Sequence, residues 1–170
     1  AIVLAACVMD AAGNYAKASE YAERAIALAD RSAPAWRALA QVRVHQLRHE
    51  DARSALETAL ALDPSGASLT HRQLGWLFRE LNSFDKAAHA FRAAVGIDPQ
   101  DVSSWYGLAE VYRAAGQFTD ALRAIKPALS LREDWNDQRL RGQIIHEQTY
   151  HILNKKWSNL NGDPQPLYTP

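Results

Sequence analysis

The sequence predicts an all-α fold, a solenoid made of stacked pairs of helices. Two observations support this prediction. Apolar residues recur at intervals of three and four, as they do along the buried face of an amphipathic helix. The whole pattern then returns about every 34 residues, which indicates one helix–turn–helix unit repeated along the chain.

Matching positions of successive units keep the size of their side chain while the residues between them vary. The comparison is clearest between 71–88 and 105–122. The matching pairs are Leu74 and Leu108, Phe78 and Tyr112, Phe84 and Phe118, and Ala87 and Ala121. Substitutions on a solvated surface usually change stability by less than about 0.5 kcal/mol, so variable positions are expected to face solvent. The matching sizes therefore indicate positions buried between helices.

Prolines and turn-forming residues divide the chain into units. The predicted units are about 1–32, 33–67, 68–101 and 102–133. Pro64 and Pro99 close the second and third units, because proline cannot continue the helix that precedes it. Gly13, Asn82 and Gly116 lie at the predicted turns, where the left-handed backbone conformation ends a helix.

One further helix is predicted over 134–156, where it would cap the open end of the stack. Its covering residues would be Leu140, Ile144, Ile145, Ile152 and Leu153. The solenoid domain is thus expected to occupy 1–156. Residues 157–170 are rich in proline, glycine and asparagine without periodicity, which predicts an extended tail or linker.

The first predicted helix begins in the apolar run AIVLAACVM and lacks a capping residue. An apolar helix face without a neighbour is expected to be covered by something. The sequence therefore predicts further repeats upstream of this helix, or self-association in which a second copy or another partner packs on it.

The repeated residues resemble those of the tetratricopeptide repeat over about 1–135. The last unit carries this signature as Trp105, Leu108, Ala109 and Tyr112, and two units close with Asp-Pro. The resemblance implies a right-handed α-α superhelix that acts as a non-catalytic protein–protein interaction scaffold. The nearest alternative is the RNA-binding pentatricopeptide repeat. Three positions depart from the pattern, namely Arg43 in place of an aromatic residue, Leu47 in place of glycine and Glu133 in place of the closing proline.

In domains that this chain resembles, the first helix of each unit lines a concave groove. Transferred by position, the expected peptide-binding residues are Arg37, Gln41, Arg72, Trp76, Arg79, Tyr106, Glu110 and Arg113. Guanidinium groups suit carboxylates, and Trp and Tyr supply rigid apolar area, so a protein or peptide segment with acidic groups is expected as partner. The alternative is that the arginines pair with nearby acidic residues such as Glu80 and Glu110 on a solvated face.

Catalytic motifs are absent from the sequence, which contains no GxGxxG, GxxxxGK[ST], HExxH or GxSxG. We therefore predict that the chain is not an enzyme and uses no cofactor. His45 and His49 have the spacing of a metal site, but a predicted turn at about 46–49 separates them, so no metal site is expected. Cys7 is expected to be a small buried residue rather than a nucleophile.

Charge and hydropathy limit the remaining functions. Nineteen Lys and Arg balance nineteen Asp and Glu, so no basic excess supports a nucleic-acid partner. The longest apolar run has nine residues, far fewer than the ~20 that span a bilayer. A single cysteine fits the cytoplasm, although a periplasmic protein is also possible.

Two alternative functions remain open from the sequence. In bacterial chains that this one resembles, such repeats are joined to a sulfotransferase, glycosyltransferase or hydroxylase domain. The repeats could thus be the recruiting arm of a larger enzyme, or a self-assembly module.

Overall fold

The computed structural model describes the backbone of residues 1–131 and 135–161, and side chains for 1–131 and 138–155. Within these residues it forms nine α-helices and no β-strand. The helices are α1 (Ile2–Ala11), α2 (Tyr15–Leu28), α3 (Ala33–His45), α4 (His49–Leu62), α5 (Ala67–Glu80), α6 (Phe84–Ile97), α7 (Val102–Ala114), α8 (Phe118–Leu131) and α9 (Trp135–Asn161). The prediction of an all-α helical repeat is confirmed.

Helices α1 to α8 form four pairs, one in each predicted unit, except that α5 begins at Ala67, one residue before the boundary expected at 68. The same turn closes the first helix of every pair. In it one residue adopts a positive φ, and the N–H groups of this residue and the next donate to carbonyls of the last helical turn. The residues with positive φ are Gly13 (74°), Leu47 (59°), Asn82 (53°) and Gly116 (73°).

Leu47 shows that the packing of the repeat, and not the presence of glycine, determines the geometry of this turn. Its φ of 59° is unfavourable for a residue with a Cβ, yet its N–H still donates to the Val44 carbonyl at 2.8 Å. The side chain is 77% exposed and gains little from packing. Contacts elsewhere in the pair therefore hold this turn in shape.

Small residues let the helices of each pair approach closely. Ala52, Ala87 and Ala121 are completely buried at equivalent positions of the second helices. Phe91 of α6 is also fully buried, and its ring lies against Gly75 and Gly107. A Cβ at Gly107 would approach the Phe91 ring to 2.5 Å, so only glycine fits there without movement.

Indole groups tie the loops between pairs to the following helix. The Nε1–H of Trp36 donates to the Asp30 carbonyl at 3.0 Å, and that of Trp105 donates to the Pro99 carbonyl at 3.0 Å. The corresponding residue of the third pair is His71, which has no indole. The tryptophan of the repeat pattern thus has a polar role in addition to its apolar one.

The stack is curved, and its first helices line the inner side. Among the described residues α1 contacts α3, α3 contacts α5, α5 contacts α7 and α7 contacts α9, whereas no contact joins the second helices α2, α4, α6 and α8 to one another. Helices that approach one another along one side of a stack place that side inside the curve. We call the face formed by α3, α5, α7 and α9 the inner surface.

Helix α9 packs on α8 and α7, in the place that the first helix of a fifth pair would take. Leu140 and Ile144 are buried, as predicted for a capping helix. The prediction is wrong for Ile145, Ile152 and Leu153, which are exposed because, among the described residues, only α7 and α8 pack on α9.

The end of α9 also differs from the prediction. The helix continues to Asn161, so the extended tail expected from 157 is wrong for 157–161. Residues 162–170 of that expected tail, and Glu133 at the predicted end of the fourth unit, lie outside the described residues.

Candidate peptide-binding surface

Trp76 of α5 occupies the centre of the inner surface. Its indole meets the Phe91 ring edge-on at a centroid distance of 5.0 Å and lies 6.5 Å from the Tyr106 ring of α7. The Arg79 guanidinium stands 5.9 Å from the centroid of the same indole. Trp76 is only half-buried, so part of this rigid aromatic platform stays open to a partner.

Beside Trp76, arginines and glutamates alternate across three helices. Arg79 of α5 is 2.6 Å from Glu110 of α7, which is also 3.5 Å from Arg113. Arg113 continues to Glu147 of α9 at 2.8 Å. We call these four residues the ion-pair chain. Because Glu110 is only 13% exposed and serves two arginines, the chain joins the inner edges of α5, α7 and α9.

The other two predicted arginines are also paired. Arg72 donates to Asp101 at 2.8 Å, and Asp101 accepts a second hydrogen bond from Ser104. Arg37 lies 3.4 Å from Asp63 in the loop between α4 and α5. Arg72 thus joins α5 to the start of α7, and Arg37 joins α3 to the loop that follows α4, so each arginine first serves the packing of the repeats.

Asp63 is held by more than its arginine. Its carboxylate accepts from the Ser65 hydroxyl at 2.6 Å and from the Gly66 amide at 2.9 Å. The Ser65 hydrogen bond, followed by that from Gly66, lowers the pKa of the Asp63 carboxyl below its ordinary value. This carboxylate stays ionised and remains a fixed partner for Arg37.

A cavity of about 220 Å³ opens between α3 and α5, and we call it the α3–α5 pocket. Its lining residues are Ala40, Gln41, Val44, His45, Leu56, Gln73, Trp76, Leu77 and Glu80. The floor is apolar, and the amide, imidazole, indole and carboxylate groups surround it. Its volume is suited to one side chain of a partner rather than to a whole cofactor, since sites for small molecules usually measure about 300–1,000 Å³.

One side of the pocket is organised by His45. Its Nδ1 lies 2.7 Å from a carboxylate oxygen of Asp10, and its Nε2 lies 3.3 Å from Nε2 of Gln41. A proton on Nδ1 satisfies both contacts, because the imidazole then donates to Asp10 and accepts from Gln41. The amide of Gln41 is thereby oriented with its carbonyl oxygen free of this contact.

The opposite side of the pocket carries acceptors with no partner. The Oε1 atom of Gln73 is buried and accepts no hydrogen bond. Glu80 is exposed and makes no hydrogen bond or ion pair within the part of the chain that the structure describes. The structure therefore differs from the sequence-based alternative in which Glu80 pairs with an arginine.

The structure brings most of the predicted groove residues together. Trp76, Arg79, Tyr106, Glu110 and Arg113 form one continuous cluster on α5 and α7. Gln41 lies across the α3–α5 pocket from Trp76. Arg37 and Arg72 are separated from this cluster, because Asp63 and Asp101 hold them towards the loops between units.

The sequence reasoning missed Gln73 as a possible recognition residue. Its position was nevertheless readable, since Gln73, Trp76 and Glu80 follow one another at helical intervals on a single face of α5. Cys7 was expected to be buried and is exposed on α1, so that prediction is wrong.

The described residues provide neither a metal cluster nor a membrane span. Across residues 1–131 and 138–155, no three His, Cys, Asp or Glu side chains are grouped as metal ligands would be. The turn between α3 and α4 separates His45 from His49, as the sequence predicted. None of the described helices is long and apolar enough to cross a bilayer.

Comparisons with known proteins support the repeat architecture. A family model described as tetratricopeptide repeat matches residues 4–67 and 72–137. Superkiller protein 3 of Schizosaccharomyces pombe is 38% identical over 66 residues, which are 38% of this chain and 5% of that protein. Protein O-mannosyl-transferase TMTC1 of Mus musculus is 28% identical over 130 residues, which are 75% of this chain and 14% of that protein. The chain thus spans a small part of the length of these relatives.

Solved structures give the same fold. A thermophilic TPR protein of Thermus thermophilus superposes with a TM-score of 0.77 at 21% identity, covering 85% of this chain and 79% of that one. A chain of the APC/C hetero-tetramer Cut9-Hcn1 superposes with a TM-score of 0.76 at 19% identity, covering 84% of this chain and 29% of that one. Since the family model matches most of the sequence and every helix of the four pairs lies in or overlaps a matched stretch, this chain belongs to the tetratricopeptide repeat family.

Proposed function

We propose that the chain is a non-catalytic scaffold whose inner surface binds a segment of another protein. The proposed contact residues are Arg37, Gln41, Arg72, Trp76, Arg79, Tyr106, Glu110 and Arg113. The observation that carries the proposal is Trp76, a half-buried aromatic residue at the centre of the surface with a side-chain-sized pocket beside it. Central aromatic residues next to pockets are the usual energetic anchors of protein interfaces.

The ion pairs change what the arginines can contribute. Arg79 and Arg113 share Glu110, so an acidic group of the partner would have to compete with a carboxylate that is already in place. The acidic partner expected from the sequence therefore remains a prediction. In this proposal Arg79 contributes mainly through its position beside the Trp76 indole.

A displayed library of random peptides tests the proposal. Segments selected by the whole chain are made as free peptides, and their affinities for the wild type and for Trp76→Ala are measured by calorimetry. We expect the variant to lose at least ~2 kcal/mol of binding free energy, as a central anchor does.

Trp36→Ala is the matched control, because Trp36 ties a loop to α3 through its indole N–H and lies outside the cluster. Thermal unfolding of both variants separates binding from folding. Selected peptides that bind Trp76→Ala as tightly as the wild type would contradict the proposal.

A second candidate function is the recruiting arm of a larger enzyme. The supporting observation is that 75% of this chain matches a region of a protein named as an O-mannosyl-transferase. In that case the inner surface binds a substrate protein for a neighbouring catalytic domain. The complete reading frame decides this, since the candidate requires a catalytic domain in the same polypeptide.

Self-association is a further prediction. Leu4 and Val8 are exposed on α1, where a second copy could cover them. Light scattering over a dilution series is expected to show a dimer that Leu4→Ser with Val8→Ser abolishes, and a monomer at all concentrations would contradict it. The expected cytoplasmic location also stays a prediction.

A further inference from the structure

The α3–α5 pocket differs from the rest of the inner surface because it contains polar groups that have no hydrogen-bond or ion-pair partner among the described residues. The Oε1 atom of Gln73 is buried without a hydrogen bond. Glu80 carries a negative charge that no described side chain neutralises. Gln41 uses its nitrogen towards His45 and keeps its carbonyl oxygen. All three groups offer oxygen acceptors, so the pocket can accept hydrogen bonds from the N–H groups of a ligand.

The energetic consequence favours a ligand with N–H groups. A buried acceptor without a partner destabilises the protein, and an incoming donor would remove that cost. Glu80 adds a negative charge at the rim, and a charged hydrogen bond is about twice as strong as a neutral one. A cationic donor therefore gains more from this pocket than a neutral donor of the same size.

The walls suit the rest of a cationic side chain. The apolar floor comes from Ala40, Val44, Leu56 and Leu77, which can pack against the methylene stem of a lysine or arginine. Trp76 contributes an aromatic wall, and tryptophan is the aromatic residue that attracts cations most strongly. The volume of about 220 Å³ is sufficient for one such side chain.

The basic side chains nearest to the pocket already contact carboxylates. The Arg79 guanidinium lies over the Trp76 indole but is 2.6 Å from the carboxylate of Glu110. His45 lines the pocket and is 2.7 Å from the carboxylate of Asp10. Neither group therefore opposes a second cation with an uncompensated charge.

We propose that the α3–α5 pocket binds one lysine or arginine side chain of a partner polypeptide, with Glu80 and the Gln73 carbonyl oxygen accepting from its N–H groups. This inference rests on the proposed function and names the chemistry that the inner surface recognises. It is opposite in sign to the acidic partner that the number of arginines in the groove predicts.

The test uses isotope-labelled protein and capped pentapeptides in which a central residue is flanked by two glycines on each side. The central residue is arginine, lysine, citrulline or glutamate, and citrulline keeps the shape of arginine without its charge. We expect saturable chemical-shift changes at the Trp76 indole N–H and the Gln73 side-chain amide. The arginine and lysine peptides are expected to bind at least tenfold more tightly than the citrulline and glutamate peptides.

Two variants test whether Glu80 supplies the negative charge that a cationic peptide recognises. Glu80→Gln keeps the shape of the side chain and is expected to weaken the arginine peptide about tenfold. Glu20→Gln is the matched control, because Glu20 is an exposed glutamate on α2 without a partner among the described residues, and it should leave the affinity unchanged. Unchanged thermal unfolding shows that both variants are folded.

Three results of the peptide titration would overturn the inference. The first is that the arginine and citrulline peptides bind with equal affinity. The second is that Glu80→Gln leaves the affinity for the arginine peptide unchanged. The third is that the Trp76 and Gln73 signals do not shift with peptide at about 10 mM, which is far above a millimolar dissociation constant. Library-selected segments that need Trp76 but no cationic residue would leave the proposed function standing and remove this inference. Conversely, if the arginine pentapeptide binds but no segment selected from the library does, the proposed function is removed and this inference stands.

Discussion

The two halves of the inner surface use polar residues in different ways. Between α5, α7 and α9, every charged residue of the ion-pair chain has a partner on its own or the neighbouring helix. Between α3 and α5, Gln73 and Glu80 have none within the described residues. A charged residue on a concave face is therefore not by itself a recognition residue. What it offers a partner depends on whether the fold has already neutralised it.

The largest expected effect comes from Phe91, which lies under both halves. Its ring is fully buried, touches Gly75 of α5 and Gly107 of α7, and supports Trp76 edge-on. Replacing a buried phenylalanine by alanine costs about 3–5 kcal/mol, so we expect Phe91→Ala to lower the free energy of unfolding by that amount. Urea unfolding followed by circular dichroism measures it.

Phe78→Ala is the matched control for that experiment. Phe78 is only partly buried, so its loss should cost less than that of Phe91. A Phe91→Ala protein that loses less than about 1 kcal/mol would show that α5, α6 and α7 do not share this support.

The second prediction separates the two halves by stability. Glu110→Gln leaves Arg79 and Arg113 without their common partner, and we expect a loss of about 1–2 kcal/mol, between the values for exposed and buried pairs. Glu80→Gln removes an unpaired surface charge and is expected to change stability by less than about 0.5 kcal/mol. Thermal unfolding of the two variants at low and high salt gives both numbers.

The same pair of variants should show the opposite order in binding. Glu80→Gln is expected to weaken the binding of a partner's cationic residue, whereas Glu110→Gln is expected mainly to lower the stability of the fold. If Glu80→Gln proved the more destabilising of the two, the division between a structural half and a recognising half would be wrong.

Smaller effects than that of Glu110→Gln are expected at two turns, one after α3 and one after α7. Leu47 is strained at φ 59°, so Leu47→Gly is expected to raise the free energy of unfolding by about 0.5–1 kcal/mol. Gly116 has a φ of 73° and open space around its Cβ position, so Gly116→Ala should lower stability by about 1 kcal/mol through the backbone alone.

Urea midpoints measure both turn variants, and Asn82→Gly is the intermediate case because asparagine tolerates this conformation better than leucine. A Leu47→Gly protein less stable than the wild type would mean that the exposed leucine contributes packing that outweighs its backbone strain.

The repeat architecture could be predicted because it depends on local rules. Helical periodicity, proline stops and turn residues act within a few positions of one another, so Gly13, Asn82 and Gly116 identified three of the four turns correctly. Leu47 was only a departure from the pattern in the sequence. The structure shows that the packing of the pair imposes the turn even on a residue that resists it.

The pairing of the groove charges could be predicted only in part. The sequence-based alternative was that arginines pair with Glu110, which Arg79 and Arg113 do. Asp101 and Glu147 were not anticipated, because their proximity to Arg72 and Arg113 depends on how successive units are rotated in the stack. The exposed Ile152 and Leu153 on α9 were missed for a similar reason, since periodicity does not say which neighbour covers a face.

The central claim is that the inner surface grips another polypeptide. A crystal structure of the chain bound to its tightest library-selected peptide tests this most directly. The account predicts the peptide along α3, α5 and α7, in contact with Trp76 and with a cationic side chain in the α3–α5 pocket. A peptide bound instead on the outer side, across α4 and α6, would contradict it.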